Sequence, residues 1–121
     1  MAPALADDDL KPYVSEWVRR FNAGDYYGAH EIAEDAWHAY RGPYRDFLKG
    51  LVQLAVSLHH HFAGNRHGAE VKWRSSRAYL VVYEPETLGV NITLLLRDVA
   101  RLYETEAPGS PREGTIRPQL P

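Results

Sequence analysis

The sequence predicts an all-α fold, a compact bundle of about five helices, and three observations predict it. Apolar residues recur at i, i+3, i+4 and i+7 through five separate stretches. Gly, Pro and Asx residues that stop one helix and cap the next divide those stretches. A motif, "AGDYYGAHE" at 23 and "AGNRHGAEV" at 63, recurs with Ala-Gly, Asp or Asn, and Gly-Ala in register.

The first helix begins near Leu10 behind the acidic run "DDD", which suits a helix start, and carries Tyr13, Val14, Trp17, Val18 and Phe21 on one face. Gly24 closes it, and Asp25 is a good N-cap for a second helix with Tyr26, Ala29, Ala33, Ala36, Trp37 and Tyr40 on its apolar side. "RGPY" ends that helix. Pro43 suits the first turn of a third, running to about Ala63. Its apolar residues, Tyr44 through Phe62, cover well over half the circumference at about 100° per residue, so it belongs in the middle of the bundle. Gly64 and Asn65 repeat the stop and cap and open a fourth helix through "HGAEVKWRSSRAYL", which "EPETLG" breaks near Pro85. A fifth helix, capped near Asn91, runs through Leu94, Leu95, Val99, Leu102 and Tyr103.

The pseudo-repeat pairs the helices into two hairpins plus a C-terminal covering helix. Gly28 and Gly68 are expected to let a neighbouring helix approach closely at each hairpin corner, which outweighs the roughly 1 kcal/mol that glycine loses to alanine in a helix. Two units fall short of the three or so that a solenoid needs, so a closed bundle is favoured. Residues 1–106 form one domain in this reading, and "APGSPREGTIRPQLP", 107–121, is an extended or disordered tail without helical pattern.

Composition narrows the function. The 121 residues carry 45% apolar and 25% charged side chains, with three Trp, eight Tyr and three Phe to fill a core. A formal charge of -2 gives no general attraction to nucleic acid or anionic membranes, so neither is expected as a partner. No cysteine means no disulfide, thiolate nucleophile or Cys-bound zinc, in keeping with a reducing cytoplasm. The opening "MAPALADDDLKP" lacks the basic start and apolar run of a signal peptide, and no window reaches the roughly 18 apolar residues of a membrane span. The "NIT" at Asn91 is read as a chance sequon in a cytoplasmic protein. No phosphate loop, nucleophile elbow or dinucleotide fingerprint is present, which argues against common nucleotide-using enzymes.

The stretch "HEIAEDAWHAY", 30 to 40, holds the residues that bear on chemistry. Helical spacing points His30, Glu34 and Trp37 toward one side, with His30 and Glu34 on the flank of the apolar face and Glu31 and Asp35 well out toward water. On the third helix Asp46, Lys49, Gln53, Ser57 and His60 fall in one narrow polar strip. Antiparallel neighbours joined by a short turn pack side by side, so this strip either faces the His30/Glu34 flank and makes a polar pocket or turns to solvent.

A metal reading starts from the likeness of "HEIAE" to the zincin pattern, with Glu34 where the second histidine belongs. His30, Glu34 and His60 would then hold a divalent metal, Glu31 would be a weak candidate base, and Glu31 or Lys49 would support the site. A structural His30–Glu34 hydrogen bond completed by Gln53 is the plainer account. The triplet "HHH" at 59–61 is three separate histidines, since consecutive helical residues diverge; His59 and His61 are expected to cover apolar surface and His60 to stand alone on the polar strip. Arg66, Lys72, Arg74 and Arg77 around Trp73 read as a solvated helix face.

"FNAGDYYGAHEIAEDAW", then "FLKGLVQLAV" and "HFAGNRHGA", resemble the small bacterial, archaeal and plastid family known as domain of unknown function 309. The resemblance runs from about Phe21 to Tyr83. It implies a compact all-helical bundle and singles out His30, Glu31, Glu34, Trp37, Gly50, Gln53, His60, Gly64, Asn65, Gly68 and Ala69. It implies no activity. The chain departs from the pattern in His59 and His61 and in Lys49, where glutamine is common, which counts against a site built around position 49. Recurrence of polar side chains on both helices favours a shared pocket.

The reading therefore favours a binding or interaction module, for a small ligand or protein, over an enzyme. Its site is formed by His30, Glu34, Trp37, Gln53 and His60 between the second and third helices. A metal-assisted hydrolase using His30, Glu34 and His60 is the alternative. A homodimer through exposed aromatic surface on the first or last helix is a third reading.

Overall fold

A computed structural model describes residues 4–105. After a 3-10 turn at Asp7–Asp9 come α1 (Leu10–Asn22), α2 (Tyr26–Ala39), α3 (Arg45–Phe62) and α4 (Arg66–Leu80). A second 3-10 turn (Val81–Tyr83), two short strands, β1 (Glu86–Thr87) and β2 (Val90–Asn91), and α5 (Ile92–Thr105) complete the described chain. The molecule is a compact all-α bundle, with five α-helices among the described residues. The expected tail, 107–121, lies outside them.

The repeated motif builds the same corner twice. Gly24 and Gly64 have φ of +80° and +82°, the left-handed conformation that ends a helix and that glycine adopts without steric cost. The next residue turns its N–H back to the helix just ended, Asp25 to Arg20 O at 2.9 Å and Asn65 to His60 O at 2.8 Å. Each then caps the following helix: Asp25 Oδ1 accepts from Gly28 N–H, and Asn65 Oδ1 from Gly68 N–H, both at 2.9 Å. The expected reason for Gly28 and Gly68 needs correcting. A Cβ at Gly28 would overlap the Asp25 carboxylate and the Arg20 guanidinium, and one at Gly68 would crowd the Asn65 amide and the His60 ring. These glycines clear room for the capping side chain itself rather than for a neighbouring helix backbone.

α3 takes the central place its wide apolar arc predicts, packing on α2 along one side and α4 along the other. Phe47, Leu48, Leu51, Leu54, Ala55 and Leu58 are almost wholly buried, within one core that also holds Leu10, Trp17 and Phe21 of α1 and Ile92, Leu95, Val99 and Leu102 of α5. Burial of that apolar area, at roughly 25 cal/mol per Å², is the main force holding the helices together. Gly50 sets the α3–α4 approach, because a methyl group there would run into the Leu80 side chain.

Three details differ from expectation. Pro43 lies two residues ahead of α3 in the preceding turn, not in its first helical turn. The "EPETLG" break is a small antiparallel hairpin, Glu86 opposite Asn91 and Thr87 opposite Val90. Its two-residue turn, Leu88 and Gly89, has positive φ at both positions (50° and 84°), the geometry that matches strand twist. Asn91 then caps α5, as expected, accepting from Leu94 N–H at 2.9 Å. Finally, no aromatic side chain on α1 or α5 is exposed. The exposed large apolar residues among those described are Tyr27, Val71, Val81 and Val82, while on α1 and α5 Trp17 and Phe21 are buried and Tyr13 and Tyr103 partly buried. No described helix is long and apolar enough to cross a membrane.

Candidate functional site

The corner at Gly24–Asp25 launches α2 so that Tyr27 and His30, three residues apart, stand on the same side of its first turns. Their rings lie 5.1 Å apart. His30 Nδ1 is 3.1 Å from the Tyr27 carbonyl, and a carbonyl only accepts, so Nδ1 carries the hydrogen. Nε2 is then the second nitrogen of that ring: an acceptor when the imidazole is neutral, a donor to a carboxylate when it is protonated. Glu34, one turn on, places Oε2 3.5 Å from it.

At the end of α3 the second corner fixes His60 in the opposite sense. Because Asn65 Oδ1 is committed to Gly68 N–H, its amide nitrogen Nδ2 is the atom that faces His60 Nδ1, at 3.3 Å. An amide N–H donates, so His60 Nδ1 accepts and its hydrogen resides on Nε2. His30 and His60 come together with Tyr27, Val56 and His59 around an open cleft of about 300 Å³ between α2 and α3. The His59 ring is 5.6 Å from Tyr27 and 5.9 Å from His60. The cleft thus brings together three imidazoles, an apolar floor and a half-exposed aromatic ring.

The remaining expected site residues are placed differently. Glu34 touches His30 but is itself 45% exposed and does not line the cleft. Gln53 is buried in α3, and no hydrogen bond joins it to His30, Glu34 or His60. Trp37 stands two turns beyond His30, about 10 Å along α2, with the guanidinium carbon of Arg45 4.2 Å and the Lys49 ammonium 4.5 Å from its ring centroid. Glu31, the weak candidate base, is exposed. The ligand set His30, Glu34 and His60 is not assembled: among the described residues no three His, Asp or Glu side chains are grouped closely enough to hold a metal ion. His60 is drawn toward its own cap at Asn65, and Glu34 is directed outward.

The polar strip of α3 neither faces α2 throughout nor turns wholly to solvent; it divides, with Asp46 exposed. Lys49 goes to α2. Ser57 goes to the far side, donating to Ala69 O of α4 at 2.7 Å and lying 2.6 Å from the Tyr103 hydroxyl of α5. α3 is flanked by helices on both sides, so a strip running nearly its whole length cannot keep one neighbour. Of the flanking histidines, His61 is buried against Phe62 and Tyr103, as expected for a ring covering apolar surface. His59 is exposed and joins the cleft instead. Tyr27, Val56 and His59 were missed as lining residues, although Tyr27 sits at i−3 from His30, and His59 at i+3 from Val56.

A family model described as "Domain of unknown function (DUF309)" matches residues 14–71. Those residues include α2, α3, both corners and every side chain that lines the cleft. The chain is 32% identical over 97 residues, 78% of its length, to the uncharacterized protein YpuF of Bacillus subtilis (strain 168). It is 38% identical over 53 residues, 42% of its length, to an uncharacterized protein of Aquifex aeolicus (strain VF5). The matched stretch is 56% of the Bacillus protein and 16% of the Aquifex protein, so this chain covers well under two thirds of either relative.

Proposed function

For a chain whose residues 14–71 belong to the DUF309 family, we propose a binding module whose ligand is a small, neutral, planar molecule bearing both a hydrogen-bond donor and an acceptor. One pair of contacts in the same cleft carries this reading: His30 Nδ1 faces a carbonyl and His60 Nδ1 faces an amide N–H, which assigns the two imidazoles opposite hydrogen placement. A donor on the ligand would meet His30 Nε2, an acceptor would meet the His60 N–H, and the flat body would rest on Tyr27 and Val56. The volume, about 300 Å³, sits at the lower end of ligand pockets and suits a fragment or small metabolite rather than a polymer.

Binding is favoured over catalysis because the cleft holds no paired carboxylates, no nucleophile beside a base and no assembled metal ligands among the described residues. The test is a fragment screen by NMR on uniformly labelled protein, following the histidine ring nitrogens. Ligands of the stated kind should move the His30 and His60 signals together and saturate, and His30→Phe should abolish the response while the protein stays folded. Fragments that move neither ring, or that move the His60 ring equally in His30→Phe, would remove the support for this site.

A further inference from the structure

Two turns along α2 from the histidine cleft, three cations gather around one indole and one carbonyl. Arg41 Nη1 donates to His38 O at 2.8 Å and to Tyr40 O at 3.1 Å, and Arg45 Nε donates to the same Tyr40 O at 3.2 Å. The guanidinium of Arg45 and the ammonium of Lys49 both lie within 4.5 Å of the Trp37 ring centroid. None of the three has a carboxylate within ion-pairing distance among the described residues, whose six ion pairs all lie elsewhere.

Like charges held this close repel, and elsewhere this chain answers such charges with carboxylates: Arg19 and Arg20 share Glu16, and Arg66 has Glu70. Here the fold fixes the cations in place and leaves them uncompensated. The backbone contacts consume one guanidinium nitrogen on each arginine. Arg41 keeps its Nε–Nη2 edge and Arg45 keeps its Nη1–Nη2 end, each a two-pronged donor for oxygen atoms. Anchored forks of this kind lose little side-chain freedom on binding. The Trp37 ring is already engaged by two cations, so the site recognises charge rather than a stacked ring.

We propose that Arg41, Arg45 and Lys49 around Trp37 form a binding site for a phosphoryl group, a multiply charged oxyanion whose oxygens can bridge the two arginine forks while the ammonium supplies the third charge. A single carboxylate would leave two of the three cations unmatched.

The experiment is titration of the full chain with inorganic pyrophosphate at constant ionic strength, read by the Trp37 indole N–H and the arginine Nε–H signals in NMR. Saturable one-to-one binding is expected, weakened at least about tenfold in the double variant Arg45→Gln/Lys49→Gln and unchanged in Arg74→Gln, an exposed cation on α4. Arg41 is exposed, so Arg41→Gln supplies a second weakened variant whose folding is not at stake. The proposal is overturned if sodium chloride gives the same shifts, or if Arg74→Gln weakens binding as much as the double variant. It is also overturned if hexaglutamate or a short single-stranded oligonucleotide binds more tightly than pyrophosphate. Either result would assign the cluster to a macromolecular partner.

Discussion

Ser57 of α3 and Tyr103 of α5, 46 positions apart in sequence, share a hydrogen bond of 2.6 Å inside the bundle. Ser57 spends its own hydrogen on the Ala69 carbonyl of α4, so the phenol is the donor and the serine oxygen the acceptor. The relay Tyr103 to Ser57 to Ala69 ties three helices at one point. Burial there pushes the Tyr103 phenol above the ordinary tyrosine range.

Replacing Ser57 with Ala strands the buried phenol and takes from the Ala69 carbonyl its partner outside the helix, and should lower stability by about 1 to 3 kcal/mol in urea denaturation. Tyr103→Phe leaves the serine its Ala69 partner and should cost less, near 1 kcal/mol. Equal stability for Ser57→Ala and the parent protein would mean that the relay is not formed.

The α3–α4 contact predicts a second effect. A methyl group at Gly50 meets the fully buried Leu80 side chain, so Gly50→Ala should destabilise by about 1 to 3 kcal/mol despite the better helix propensity of alanine. Gly50→Ala combined with Leu80→Ala should recover part of that loss relative to Leu80→Ala alone. A Gly50→Ala variant as stable as the parent would show a looser helix pair.

Sequence reading reached the helices and missed their azimuths. The five amphipathic stretches, the caps at Asp25, Asn65 and Asn91 and the central place of α3 follow from local spacing and turn chemistry, which residues close in sequence determine. Whether Lys49 and Ser57 look at the same neighbour depends on how α2, α4 and α5 are arranged around α3, and no local pattern carries that. The meeting of His30 and His60 in one cleft was legible only as a choice between two packings. Participation of His59 and Tyr27 was hidden because a residue beside a corner becomes a lining residue only once the next helix folds back.

Glu34 supplies a third prediction. Its carboxylate is nearly half exposed and its contact with His30, at 3.5 Å, is long, so the contact is a weak surface one. Glu34→Ala should change stability by less than about 1 kcal/mol. A loss of several kcal/mol would require a buried network with Gln53.

The pairing of Glu16 with Arg19 and Arg20 holds its carboxyl at about 2, below the ordinary value of 4.5, and Arg20 reaches on to the α2 cap at Asp25. A depressed carboxyl stabilises the fold above its unfolded value and loses that contribution as pH falls through its folded value. The contribution should therefore be complete above about 4.5 and vanish toward pH 2. Carbon-detected NMR titration of Glu16 should show a midpoint near the lower figure, and Glu16→Gln should flatten the acid limb of the stability curve. A midpoint at the ordinary value would mean that the two arginines do not hold it.

The chemistry of the cleft rests on the opposite hydrogen placement of two rings, and a long-range proton–nitrogen correlation spectrum of the histidines, recorded where they are neutral, reads that placement directly. The prediction is that His30 carries its hydrogen on Nδ1 and His60 on Nε2. If both rings carry it on Nε2, the Tyr27 carbonyl does not hold His30, the cleft offers two donors and no acceptor, and the proposed ligand class is wrong.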